Sequence, residues 1–148
     1  MRTLNQLTEG LKEAGSRYAE LNRLFVIFRA SLATQLSEQA IPVEEPGPGP
    51  LENGAFDLGF AGRTLRFRFY ALSREDAVLA GAISCCLVHR DDPAKNLLLH
   101  RFLFDETGKT DLPNPDKAGQ GNLDISYHAD ALHIALHCIH ISLPRLQE

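Results

Sequence analysis

Along the first quarter of the chain, apolar residues recur at alternating steps of three and four: Leu4, Leu7, Leu11, Ala14, Tyr18, Leu21, Phe25, Phe28 and Leu32. That spacing predicts a helix over residues 1–40 with a heptad-like seam on one face. Thr3 followed three residues later by Gln6 is a capping-box pair, so the helix start is well marked. Gly10 and Gly15 each disfavour helix by about 1 kcal/mol relative to alanine and leave a break or kink open. The stripe is narrow before Asn22, flanked by Asn5, Glu9, Lys12, Glu13, Arg17 and Glu20, and is widened afterwards by Leu24, Val26, Ile27, Ala30 and Ala33. A wide stripe reads as buried and a narrow one as partly exposed. A continuous helix here would be on the order of 54 Å long. A compact domain of this size is only about 40 Å across. The overhanging seam therefore calls for cover, and a second copy of the chain is the simplest candidate, since such seams are self-complementary.

Residues 41–54 open with IPVEEPGPGP, which neither continues a helix nor enters the middle of a sheet, and they read as a linker. Period-two patterning follows over residues 55–112. Phe56, Leu58 and Phe60 alternate with Asp57 and Gly59, Ala61-Gly62 offers a turn, and Leu65, Phe67 and Phe69 alternate with Arg66, Arg68 and Tyr70. Residues 77–89 are apolar on both alternations, as in a central strand, and Leu97–Phe104 follows the loop RDDPAKN. Asp105-Glu106-Thr107-Gly108 reads as a hairpin turn returning a short strand over 109–112. The expectation is an antiparallel meander of about five strands. Residues 113–122 read as a surface loop. Residues 123–143 read as a second helix with Asp124 or Ser126 as N-cap and Pro144 as a stop. The whole is expected to be one α+β domain, with both helices on one face of the sheet and the arginine-bearing face toward solvent.

Composition narrows the functional classes. The chain has 148 residues, 44% hydrophobic and 23% charged, and a formal net charge of −4. That balance provides no overall attraction to nucleic acid or an anionic membrane, and neither is expected as a partner. Three cysteines, Cys85, Cys86 and Cys138, fit neither a CxxC motif nor an even disulfide framework. The opening residues lack the apolar segment of a secretory signal, and no apolar run approaches the roughly 20 residues of a membrane span, so cytoplasmic residence is the expectation.

Candidate chemistry is sparse. On the second helix, Ser126, Asp130, His133, His137 and His140 fall within an arc of roughly 80°. Two histidines four apart can share a divalent ion, with Asp130 or His140 as a third ligand, although the glutamate of HExxH is missing. A polar edge on an otherwise apolar helix explains the same residues. Gly108-Lys109-Thr110 imitates the end of a phosphate-binding loop but lacks glycine where Leu103 stands and the helix that should follow, so a turn is expected. Cys85 and Cys86 would face opposite sides of a strand, and pairing either with His89 or His100 for nucleophilic chemistry needs an open cleft; inert buried thiols are the simpler reading. Arg66, Arg68 and Tyr70, with Arg63 and Arg101 as possible additions, would form a patch suited to an anion or an acidic partner surface.

No nucleophile, base or electrophile can be assigned, and no cofactor is expected. The ranking is a non-enzymatic, homodimeric protein-interaction module first, with Leu4, Leu7, Leu11, Tyr18, Arg66, Arg68 and Tyr70 as contact residues and an unidentified protein as partner. A metal or small-ligand domain using the histidine face or the arginine patch comes second.

Overall fold

A computed structural model of the chain describes residues 1–74, 78–117, 119 and 121–144. Ala77, the first residue of the run expected as a central strand, and residues 118 and 120 of the expected loop lie outside the described residues.

Helix α1 runs Leu4–Glu38 without interruption. The Thr3 hydroxyl accepts from the Gln6 amide at 3.1 Å and the Gln6 side chain accepts from the Thr3 amide at 2.9 Å, which closes the expected capping box. Gly10 and Gly15 do not break it; an added Cβ at either would meet nothing within 4 Å. The far end closes in a Schellman motif, with the Ile41 amide on the Leu36 carbonyl and the Ala40 amide on that of Ser37. Ala40 takes the left-handed conformation (φ 52°) that glycine usually supplies there, and Ile41 then turns onto the core.

Strands β1 (Ala55–Phe60), β2 (Arg63–Ser73), β3 (Leu79–Leu87), β4 (Leu97–Phe104), β5 (Lys109–Pro113) and β6 (Asn122–Asp124) form an antiparallel meander in chain order. Ala61 and Gly62 both have positive φ and join β1 to β2 in a two-residue turn, as their sequence suggests. The sixth strand was not expected. Leu123 and Ile125 are buried through strand-like alternation, and the Asp124 carboxylate then accepts from both the amide and the hydroxyl of Ser126, a local turn that delays the helix. Helix α2 consequently begins only at His128 and runs to Ser142, capped at Tyr127 without a side-chain bond, so neither Asp124 nor Ser126 is its N-cap.

Both helices pack on one face of the sheet and against each other. The buried part of α1 starts at Leu21 and continues through Leu24, Phe25, Phe28, Leu32 and Leu36. Its phenylalanines meet those of the sheet: ring centroids of Phe25 lie 5.6 Å from Phe56 and 5.7 Å from Phe69, and Phe28 lies 6.0 Å from Phe67. The linker lies along the outer edge of β1, where the amides of Glu44 and Gly49 donate to the carbonyls of Gly59 and Asp57, both at 2.8 Å. Arg29 of α1 holds it there through the carbonyls of Gly49 and Pro48. Among the described residues, no helix is long and apolar enough to cross a membrane.

Gly81 sits opposite Phe104, whose ring occupies the space a Cβ would need. Two substitutions of opposite sign follow. Gly81→Ala should destabilise by about 1–3 kcal/mol through overpacking, whereas Ala40→Gly should stabilise by up to about 1 kcal/mol by relieving the left-handed alanine. Chemical denaturation of both variants beside the parent chain measures the two shifts.

Candidate functional site

Three surfaces carry the residues singled out from the sequence. The first is the N-terminal half of α1. Leu4, Leu7, Leu11 and Tyr18 are 82%, 46%, 73% and 48% exposed, whereas Leu21, on the next turn, is fully buried. The seam is one continuous ladder, and the sheet covers only its second half. Tyr18 marks the border, its ring 5.6 Å from Phe69. Below the overhang, Leu7, Leu11 and Ala14 face Val78 and Leu79 across a groove of about 470 Å³. Arg17 pairs with Glu106 of the β4–β5 turn at 3.1 Å and so ties this half of the helix to the sheet.

The second surface is the sheet face away from the helices. Arg66 is held by Asp57 through two bonds of 2.8 and 3.1 Å, so its charge is already answered within the chain. Arg68 donates to the Asn53 carbonyl at 3.0 Å, and the Arg101 guanidinium lies 5.4 Å from the centre of the Tyr70 ring. Arg66, Arg68 and Tyr70 therefore share a face, and Arg101 joins them. Arg63 does not: it has the parity of Leu65 and Phe67, points to the helix side, and donates to the Ser142 carbonyl at the end of α2. There it satisfies a helix C-terminus rather than extending an anion-binding patch.

The third is the histidine face of α2. His133, His137 and His140 line one open depression of about 530 Å³ together with Leu132, Leu136 and Asp116. His133 Nδ1 lies 3.7 Å from the Asp116 carboxylate. Asp130 does not line the depression; its carboxylate accepts from the Asp124 amide at 3.0 Å, and Ser126 precedes the helix altogether. Among the described residues, no group of three or more His, Cys, Asp or Glu is placed to hold a metal ion. His137 instead meets His100 of β4 edge-on, with centroids 5.2 Å apart. His100 and Asp116 were absent from the face read off the helix alone; the alternation His100, Phe102, Phe104 is the signal that could have placed His100 on the helix side.

The thiols and the loop mimic have other roles. Cys85 and Cys138 are buried against each other between β3 and α2, and hydrogen bonding to Cys138 together with burial pushes the Cys85 thiol well up. His89 accepts from the amides of Asp91 and Asp92 with its Nδ1 and so organises the loop after β3. The Asp105 carboxylate accepts from the Thr107 amide and hydroxyl and the Lys109 amide, which makes Gly108-Lys109-Thr110 the end of a turn and the start of β5.

In comparison with known proteins, no family model, curated protein or solved structure matches the chain.

Burial pushes the His100 imidazole below its ordinary value of 6.5 and the neighbouring His137 pushes the same way, against a smaller upward pull from Asp111. A histidine whose folded pKa is depressed binds fewer protons folded than unfolded, so its contribution is intact above the unfolded pKa and is lost as pH falls below it. The denaturation midpoint should therefore drop between about pH 7 and pH 5, and His100→Gln should flatten part of that slope. Identical slopes in parent and variant would show that His100 does not set it.

Proposed function

We propose that the protein is a non-enzymatic interaction module that pairs with a second copy through the N-terminal half of α1 and binds another macromolecule through its remaining exposed surface. The observation that carries this reading is the exposure of Leu4, Leu7, Leu11 and Tyr18 on the same seam whose continuation from Leu21 is fully covered. Complete burial of a leucine is worth about 1.5–3 kcal/mol. Several from each copy, placed along one helical face, supply a drive of the size that association requires, set against an ordering cost of about 4–15 kcal/mol. The groove beside Val78 and Leu79 widens the apolar surface beyond the helix itself.

The catalytic alternative has little to build on. His100 and His137 meet edge-on at a helix–sheet seam, and hydrogen bonding to Cys138 together with burial pushes the Cys85 thiol up, away from the reactive thiolate. The overall charge of −4 favours a protein partner over nucleic acid.

Sedimentation velocity at micromolar concentration should give the mass of a dimer, and Leu7→Glu combined with Leu11→Glu should give a monomer with unchanged helical content, because both side chains are exposed in the single chain. A parent chain that sediments as a monomer, or a double variant that keeps the parent mass, would remove the seam from the account.

A further inference from the structure

The two sides of β4 differ. Toward β3 it is paired from Leu97, opposite Leu87, to Phe104, opposite Gly81, with one register shift beside Cys85 and Cys86. Toward β5 the pairing is confined to Phe104 opposite Thr110. The Leu103 amide is taken by the Asp111 side chain at 3.1 Å instead of by a β5 carbonyl. Among the described residues, 97–101 therefore have no strand on that side. The margin at β1 is treated differently, since the proline-rich linker already occupies its carbonyls. Sheet edges left open are templates for another strand, and chains usually blunt them with charge, proline or a bulge. This one has a bulge at Leu99, between Leu98 opposite Cys86 and His100 opposite Cys85, but no lysine or proline, and it carries Leu97 and Leu98, which are 58% and 55% exposed.

The surroundings of the edge select what can pair with it. On the helix side, His137 stands against His100, so the depression that contains Leu132 and Leu136 borders the open edge. On the outer side, Arg68, Ser84 and Arg101 form one cross-strand row, and a strand added beside β4 would continue it next to Arg101. Neither Arg68 nor Arg101 has a carboxylate partner among the described residues; their contacts are the Asn53 carbonyl and the Tyr70 ring. Opposite charges placed across neighbouring strands stabilise a pair, and like charges destabilise it. A second copy pairing through its own β4 would bring no carboxylate, since LLLHRFLF contains none.

From these features we infer that the free edge of β4 takes an extended segment of a partner protein by strand addition, with apolar side chains toward α2 and a carboxylate outward beside Arg101. Main-chain hydrogen bonds would hold the segment, and the alternate side chains would select it. The inference rests on the reading of the chain as an interaction module, and it is independent of the helix seam.

The test uses the whole chain and three fluorescent decapeptides: alternating valine and glutamate, alternating valine and lysine, and the first peptide with alternate backbone nitrogens methylated. Anisotropy should show the acidic peptide binding at least about tenfold more tightly than the basic one, and methylation should cost about tenfold or more. Amide exchange at residues 97–101 should slow on binding, and Arg101→Glu, an exposed change, should reverse the charge preference. Absence of binding, equal binding of the methylated peptide, no charge preference, or slowed exchange confined to α1 would overturn the inference. So would β4 amides already protected in the free protein and released on dilution, which would make a second copy the occupant. The Leu7→Glu, Leu11→Glu chain should bind the acidic peptide as the parent does. Loss of the peptide signal with an intact seam dimer therefore rejects strand addition alone.

Discussion

Phe25 and Phe28 of α1 lie within about 6 Å of Phe56, Phe67 and Phe69, and this aromatic layer determines where the rest of the chain can go. Each buried phenylalanine is worth about 1.5–3 kcal/mol from burial, and each well-placed ring pair adds about 0.5–1.5 kcal/mol. The layer anchors the second half of α1 to the first two strands. Phe69 then passes the contact to Phe104 across β3, where Gly81 leaves room for the ring. A helix of 35 residues whose buried contacts begin at Leu21 continues past them at about 1.5 Å per residue. The exposed leucines are thus a consequence of helix length meeting the limited width of the sheet.

The polar groups are largely spent on holding elements in place. Arg29 holds the linker, Arg63 closes the end of α2, Arg66 is matched by Asp57, and Arg17 reaches Glu106. Asp105, Asp111 and Asp124 each accept a backbone amide near a turn or a strand margin. After these assignments Arg68 and Arg101 are the arginines of the outer sheet face without a carboxylate partner among the described residues. A charged residue counted from sequence is thus a poor guide to charge available for binding, because local pairing removes much of it.

Much of the architecture was legible because its signals are local and periodic. The heptad spacing, the Thr3–Gln6 box, the Ala61-Gly62 turn and the Asp105–Gly108 turn each specify backbone geometry within a few residues. The division of α1 into an exposed and a covered half could be read from the widening stripe after Asn22. What escaped turns mostly on which of several competing local signals wins. β6 is three residues long, and the strand-like alternation of Leu123 and Ile125 is too short to stand out beside the apolar run of the helix that follows the Asp124–Ser126 turn. Asp130 shares a helical face with the histidines, yet its carboxylate is taken by the Asp124 amide. Arg63 had the wrong parity for the outer patch, a signal present in the alternation of β2 and overlooked.

The ladder from Leu4 to Tyr18 is left largely exposed by its own sheet, and the proposal is that a second copy covers it. Hydrogen exchange of the α1 amides, followed over a dilution series of the full chain, tests it most directly. The account predicts that amides 21–36 keep their protection at every concentration, while those of the first half lose theirs as the protein is diluted. Equal protection of both halves, unchanged by dilution, would contradict it.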